Sequence, residues 1–172
     1  EYDKLRRIVR LVVRMLDGLQ GDVLGEPWQP VVVASAPKPV GDEQARIDAL
    51  ADYGPVGATT EAEWAQLRWQ VDAALGGDED AERAVVAAEK AAVPALLNDL
   101  KSLDVSTEAG MERGKHVTVI LMSICNGQTY GWRESTEEGE VVFNRKVILA
   151  LCKFWDQAKD DDAYWREFTK RD

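Results

Sequence analysis

One histidine, His116, and two cysteines, Cys125 and Cys152, are the residues of this 172-residue chain best suited to nucleophilic or general-base chemistry. His116 opens HVTVILMSICNGQTYGW (116–132), the most apolar stretch of the sequence. A catalytic imidazole needs a carboxylate to orient it and a nucleophile within hydrogen-bond reach. Ser123 follows seven residues later, which on a helix is two turns, or about 10 Å, too far to be its partner. Cys125 is farther still, so a Cys–His pair would need a cysteine arriving from another element. His116 is therefore expected to be a surface or hydrogen-bonded structural histidine, and the stretch it opens is expected to be core. Both cysteines sit in apolar runs, where a free thiol behaves as a small hydrophobe. Two cysteines so placed make neither a disulfide framework nor a zinc site. The expected compartment is reducing, the cytoplasm.

The acids offer a second chemistry. Asp156 and Glu167 are the ends of a twelve-residue window with Asp160 and Asp162 at its fifth and seventh positions. This partly resembles a calcium-binding EF-hand loop, which wants oxygen ligands at one, three and five and glycine at six. Ala158 and Asp161 stand at three and six, so the simpler expectation is a capped helix start with solvated acids. No phosphate-binding loop, nucleophile elbow, HExxH or CxxC occurs. A carboxylate-pair hydrolase leaves no local signature and stays open. No catalytic, cofactor or metal residue is nominated.

Binding is better signalled than catalysis. The net charge is −10, which argues against nucleic acid as the main partner. Residues 1–20 carry Lys4, Arg6, Arg7, Arg10 and Arg14 against three acids, leaving −12 on the rest. A nucleic-acid interface on that first segment ranks last of the functions considered. Eight of the 13 aromatics fall between Tyr130 and Phe168. Trp69 lies off the apolar stripe of its helix. Tryptophan and tyrosine dominate interface anchors, so Trp69, Tyr130, Trp132 and Trp165 are the candidate partner-binding residues. The expected function is an acidic helical protein–protein interaction module: an accessory subunit, adaptor or inhibitor of a basic partner. The alternative is a small-ligand-binding protein or enzyme with its pocket between helices at 107–126 and 143–158.

The elements that would position these residues are helical. DKLRRIVRLVVRMLDGLQG carries apolar residues at spacings of three and four. Four of the six prolines fall in residues 22–41, which read as an extended connection. DEQARIDALADYG is a helix with Ile47, Leu50 and Ala51 on one side, stopped by Gly54-Pro55. Thr60 and Glu63 form a capping box before a helix with Trp64, Leu67, Val71, Ala74 and Leu75 inside. Pro94 kinks the next helix or splits it into 79–92 and 94–103. Ser106 or Thr107 caps a helix through 125. A small hairpin at 117–134, turning at Asn126-Gly127, is the alternative there. A helix from about Phe143 buries Val147, Ile148, Leu151, Cys152, Trp155 and Ala158, and a last short one turns Trp165 and Phe168 inward. AAVPALLNDLKSL resembles the second helix of HEAT or armadillo repeats over 13 residues, with no second copy at a period of about 40 residues. The fold expected is mostly α: one domain over 1–172, a bundle of six or seven helices with the proline-rich segment 22–41. No apolar run approaches the ~20 residues of a membrane span.

Overall fold

A computed structural model describes residues 42–127 and 131–169, apart from the side chain of Phe168. The first helix and proline-rich segment expected from the sequence, and Tyr130, lie outside that range. Among the described residues are seven α-helices, a 3-10 turn and no strand. They are α1 (Asp42–Asp48), α2 (Glu61–Leu75), α3 (Glu79–Ala87), the turn Glu89–Ala91, α4 (Val93–Ser102), α5 (Glu108–Ile124), α6 (Glu138–Ala158) and α7 (Asp162–Thr169). None is long and apolar enough to cross a membrane.

The centre of the bundle is α4, which packs on α2, α5 and α6. Val93 through Leu97 are five consecutive buried residues, and Leu100 is fully covered one turn on. The valine and leucine side chains among them contribute roughly 1.5–3 kcal/mol each by leaving water. The stretch expected to be the middle of the protein is α5, a helix rather than a hairpin. Val117, Thr118, Ile120, Leu121 and Ile124 are buried, but Val119 is 39% exposed, so α5 keeps one face in water. Asn126 and Gly127 then take left-handed backbone (φ 53° and 79°), and the Gly127 N–H donates to the Met122 carbonyl, closing the helix.

Three helix boundaries differ from the sequence expectation, each for a physical reason. α1 stops at Asp48 rather than near Tyr53 because other elements take the backbone beyond it. Lys101 Nζ donates to the Ala51 carbonyl at 2.7 Å, while Asn98 accepts from Tyr53 N–H and donates to its carbonyl at 2.9 and 2.8 Å. Those bonds replace the helical ladder and fix the strap leading to Ala58 and Thr60. The break expected at Pro94 comes earlier, with α3 ending at Ala87. A proline ring collides with the carbonyl four residues back, here Lys90, so the helix must end before that point. Pro94 then sits in the first turn of α4, where no N–H is missed. α6 begins at Glu138, a turn before Phe143, because Val141 and Asn144 already face inward.

The end of α3 stores strain. Glu89 has φ 48°, a left-handed conformation that costs a residue with a Cβ about 1 kcal/mol or more. Replacing Glu89 with glycine is therefore expected to leave the melting temperature unchanged or raise it. A clear fall in a thermal scan would mean that the glutamate side chain makes a stabilising contact.

The caps follow the sequence. Thr60 N–H donates to Glu63 Oε2 at 2.7 Å and Glu63 N–H to Thr60 Oγ1 at 3.3 Å, a reciprocal box. Thr107, rather than Ser106, caps α5 by accepting from Gly110 N–H at 3.1 Å. Asp161 caps α7 by accepting from Ala163 and Tyr164 N–H, each at 2.9 Å.

Candidate functional site

Helix α2 buries one stripe and exposes another. Trp64, Leu67, Val71 and Ala74 face α3, α4 and α5, whereas Trp69 is 61% exposed. At 3.6 residues per turn, Ala62, Gln66 and Trp69 lie within about 60° of one another, so Trp69 continues the face that Ala62 and Gln66 begin. Ala62 and Gln66, though not Trp69 itself, line an open groove of about 700 Å³. Ala62, Gln66 and Gln70 form its α2 wall, Ala58 its end, and Ala88 and Ala91 its wall on the 3-10 turn, with Leu67 at the base. One exposed carboxylate, Glu63 of α2, lines the groove, and a second, Glu89, is exposed on the turn next to the lining Ala88. The Thr60 backbone N–H, and then its hydroxyl, hold the Glu63 carboxyl below its usual range, so its charge persists into mild acid. The nearest cation on the turn, Lys90, is engaged elsewhere, with Nζ 2.6 Å from Asp162 and 6.0 Å from the Trp165 ring centre.

The other nominated aromatics are placed differently. Trp165 is 7% exposed and meets Trp155 edge-on, centroids 6.1 Å apart, which joins α7 to α6. Trp132 is half-buried: its indole N–H donates to the Met111 carbonyl at 3.1 Å, and its ring lies over Gly114, where a Cβ would come within 2.3 Å of it. Of these residues, Trp69 alone offers most of its ring to solvent among those described.

His116 has a carboxylate partner that the sequence did not reveal. Its Nε2 lies 3.0 Å from Glu82 on α3, a contact between elements 34 residues apart that leaves no local pattern. Ser123 is two turns further along α5 and its hydroxyl donates to the Val119 carbonyl at 3.1 Å rather than to His116. Burial pushes the Cys125 thiol up to about 12 and the Cys152 thiol up as well, which disfavours the reactive thiolate. Arg113 of α5 binds Asp99 through Nε and Nη2 and reaches Asp72 at 3.3 Å, tying α5 to α4 and α2. Of the acids in the EF-hand-like window, Asp156 pairs with Lys159 and Asp162 with Lys90, and Asp161 caps α7.

Between α5 and α6, where a ligand pocket was the alternative expectation, the loop after Gly131 inserts. Asn144, fully buried, donates through Nδ2 to the Arg133 carbonyl at 2.9 Å and to Met111 Sδ at 2.8 Å, and accepts from Arg133 N–H at 2.9 Å. Comparison with protein-family models, with curated proteins and with solved structures finds no match to this chain.

Proposed function

We propose that this chain is a protein–protein interaction module that docks a basic partner on the outer face of α2. The carrying observation is Trp69: a tryptophan 61% exposed on a regular helix whose neighbour Trp64 is 8% exposed. An exposed indole offers a partner a large amphipathic surface to cover, and tryptophans dominate binding energy at interfaces. Charge supports the sign of the partner. Residues 42–91, which carry α1 to α3, hold twelve acids and four bases, and a field of that sign steers a basic protein toward it. Two free, buried thiols fit a reducing, cytoplasmic setting.

The test compares the full chain with Trp69→Ala as bait in extract of the source cells, at low and at raised salt. The wild-type chain is expected to retain a basic protein that salt releases. Trp69→Ala is expected to weaken that complex by about tenfold or more, the loss of a hot-spot tryptophan, with unchanged circular dichroism and little change in melting temperature because the side chain is exposed. Equal retention by both baits, or a partner indifferent to salt, would overturn the assignment.

A further inference from the structure

The groove beside Trp69 also constrains what its occupant looks like, an inference that rests on the docking function proposed above. Among the described residues there is no strand, so this face offers an extended peptide no sheet edge, and recognition on it comes from side-chain surfaces. The walls are lined by the methyl groups of Ala58, Ala62, Ala88 and Ala91, with the amides of Gln66 and Gln70 between them. Small wall residues let another helix approach to the ordinary 8–10 Å between packed axes, whereas a proline-rich helix would need aromatic walls. Glu63 lines the α2 side, Glu89 is exposed next to the lining Ala88, and Lys90 is held by Asp162. A segment lying along the groove would therefore meet the Glu63 carboxylate on its α2 side, apolar surface beneath, and a surrounding stretch, 42–91, with twelve acids against four bases. The −10 charge of the chain opposes a second copy in that place.

We propose that the groove between α2 and the 3-10 turn Glu89–Ala91 seats a basic amphipathic helix of the partner protein. Its apolar stripe lies on Ala62, Ala88 and Ala91. Its lysines or arginines flank that stripe toward Glu63 and the exposed Glu89, and Trp69 lies at the rim, one turn beyond Gln66.

The probe is an 18-residue peptide with leucines at helical spacing and lysines elsewhere. Its counterpart has the same composition arranged with a period of two. Both are titrated into the full-length chain and followed by amide chemical shifts. The helical-period peptide is expected to bind at least about tenfold more tightly than its isomer, with shifts centred on residues 58–70 and 88–91. Ala62→Phe, which fills the groove at an exposed site, is expected to weaken binding about fivefold or more. The Glu63→Gln/Glu89→Gln pair should act similarly, because a glutamine amide oxygen on α2 can still complete the cap with the Thr60 N–H. The pair Glu108→Gln/Glu138→Gln, on α5 and α6, should change nothing. Equal binding of the two isomers, shifts centred elsewhere, or indifference to Ala62→Phe would overturn the proposal. So would a dimer of the chain that Ala62→Phe dissociates, which would make a second copy the occupant. If Trp69→Ala abolishes capture of the cellular partner and Ala62→Phe does not, the docking face stands and the helical occupant falls. If neither variant matters, both fall.

Discussion

Gly110→Ala is expected to be among the most destabilising single-methyl additions to this protein, at about 3 kcal/mol. A Cβ at Gly110 would lie 2.0 Å from the Asp104 carbonyl oxygen and 2.7 Å from its carbon. The obstacle is backbone, so no rotamer change relieves it. Displacing the first turn of α5 would also disturb the Thr107 cap, which accepts from the Gly110 N–H itself, and caps contribute about 1 kcal/mol each. For a chain of this size 1 kcal/mol moves the midpoint by roughly 3 °C, so thermal melting should show a fall of about 10 °C. A fall under 2 °C would mean that the turn at Asp104 yields more readily than its hydrogen bonds suggest. Gly54, with open space around it, is the control that should tolerate alanine.

Asn144→Leu should cost about as much, for a different reason. Leucine keeps the branched four-atom side-chain shape at a position that is 0% exposed but removes both bonds to Arg133. The Arg133 N–H and carbonyl would then lose partners in a half-buried loop, and each unmet group costs roughly 1–3 kcal/mol. The same loop carries Trp132 onto Gly114, so its release would uncover α5 as well. Chemical denaturation should show a loss of about 3–4 kcal/mol, and Asn144→Ala should be no better. If leucine restores most of what alanine loses, packing rather than hydrogen bonding holds the loop.

Much of the helical pattern was legible because its signals are local. The Thr60–Glu63 box, the Trp64–Leu67–Val71–Ala74 stripe and the Gly76-Gly77 stop each depend on residues within one helix. Asn126-Gly127 suited a hairpin equally well; the deciding element was the unbroken run from Thr107, with a cap at one end and an apolar face throughout. What escaped was long-range. Lys101 reads as an ordinary surface lysine, yet its side chain is only 6% exposed and its ammonium is held by the Ala51 carbonyl and Asp52. Asn144 and the Glu82–His116 contact are equally silent, since partners 11 and 34 residues away leave no periodicity. The aromatic surplus was legible as a count but not as a place: Trp165 joins the core, Trp132 pins a loop, and Trp69, which broke the stripe of its helix, stands in solvent.

That last contrast carries the functional account, and amide hydrogen exchange tests it most directly. Exchange would be followed on the full chain, alone and saturated with the basic partner captured through it. Protection on binding is expected along α2 from Glu61 to Gln70 and across Ala88–Ala91, with α5 and α6 unchanged. Protection confined to α5, α6 or α7, with α2 exchanging as in the free chain, would contradict a docking face centred on Trp69.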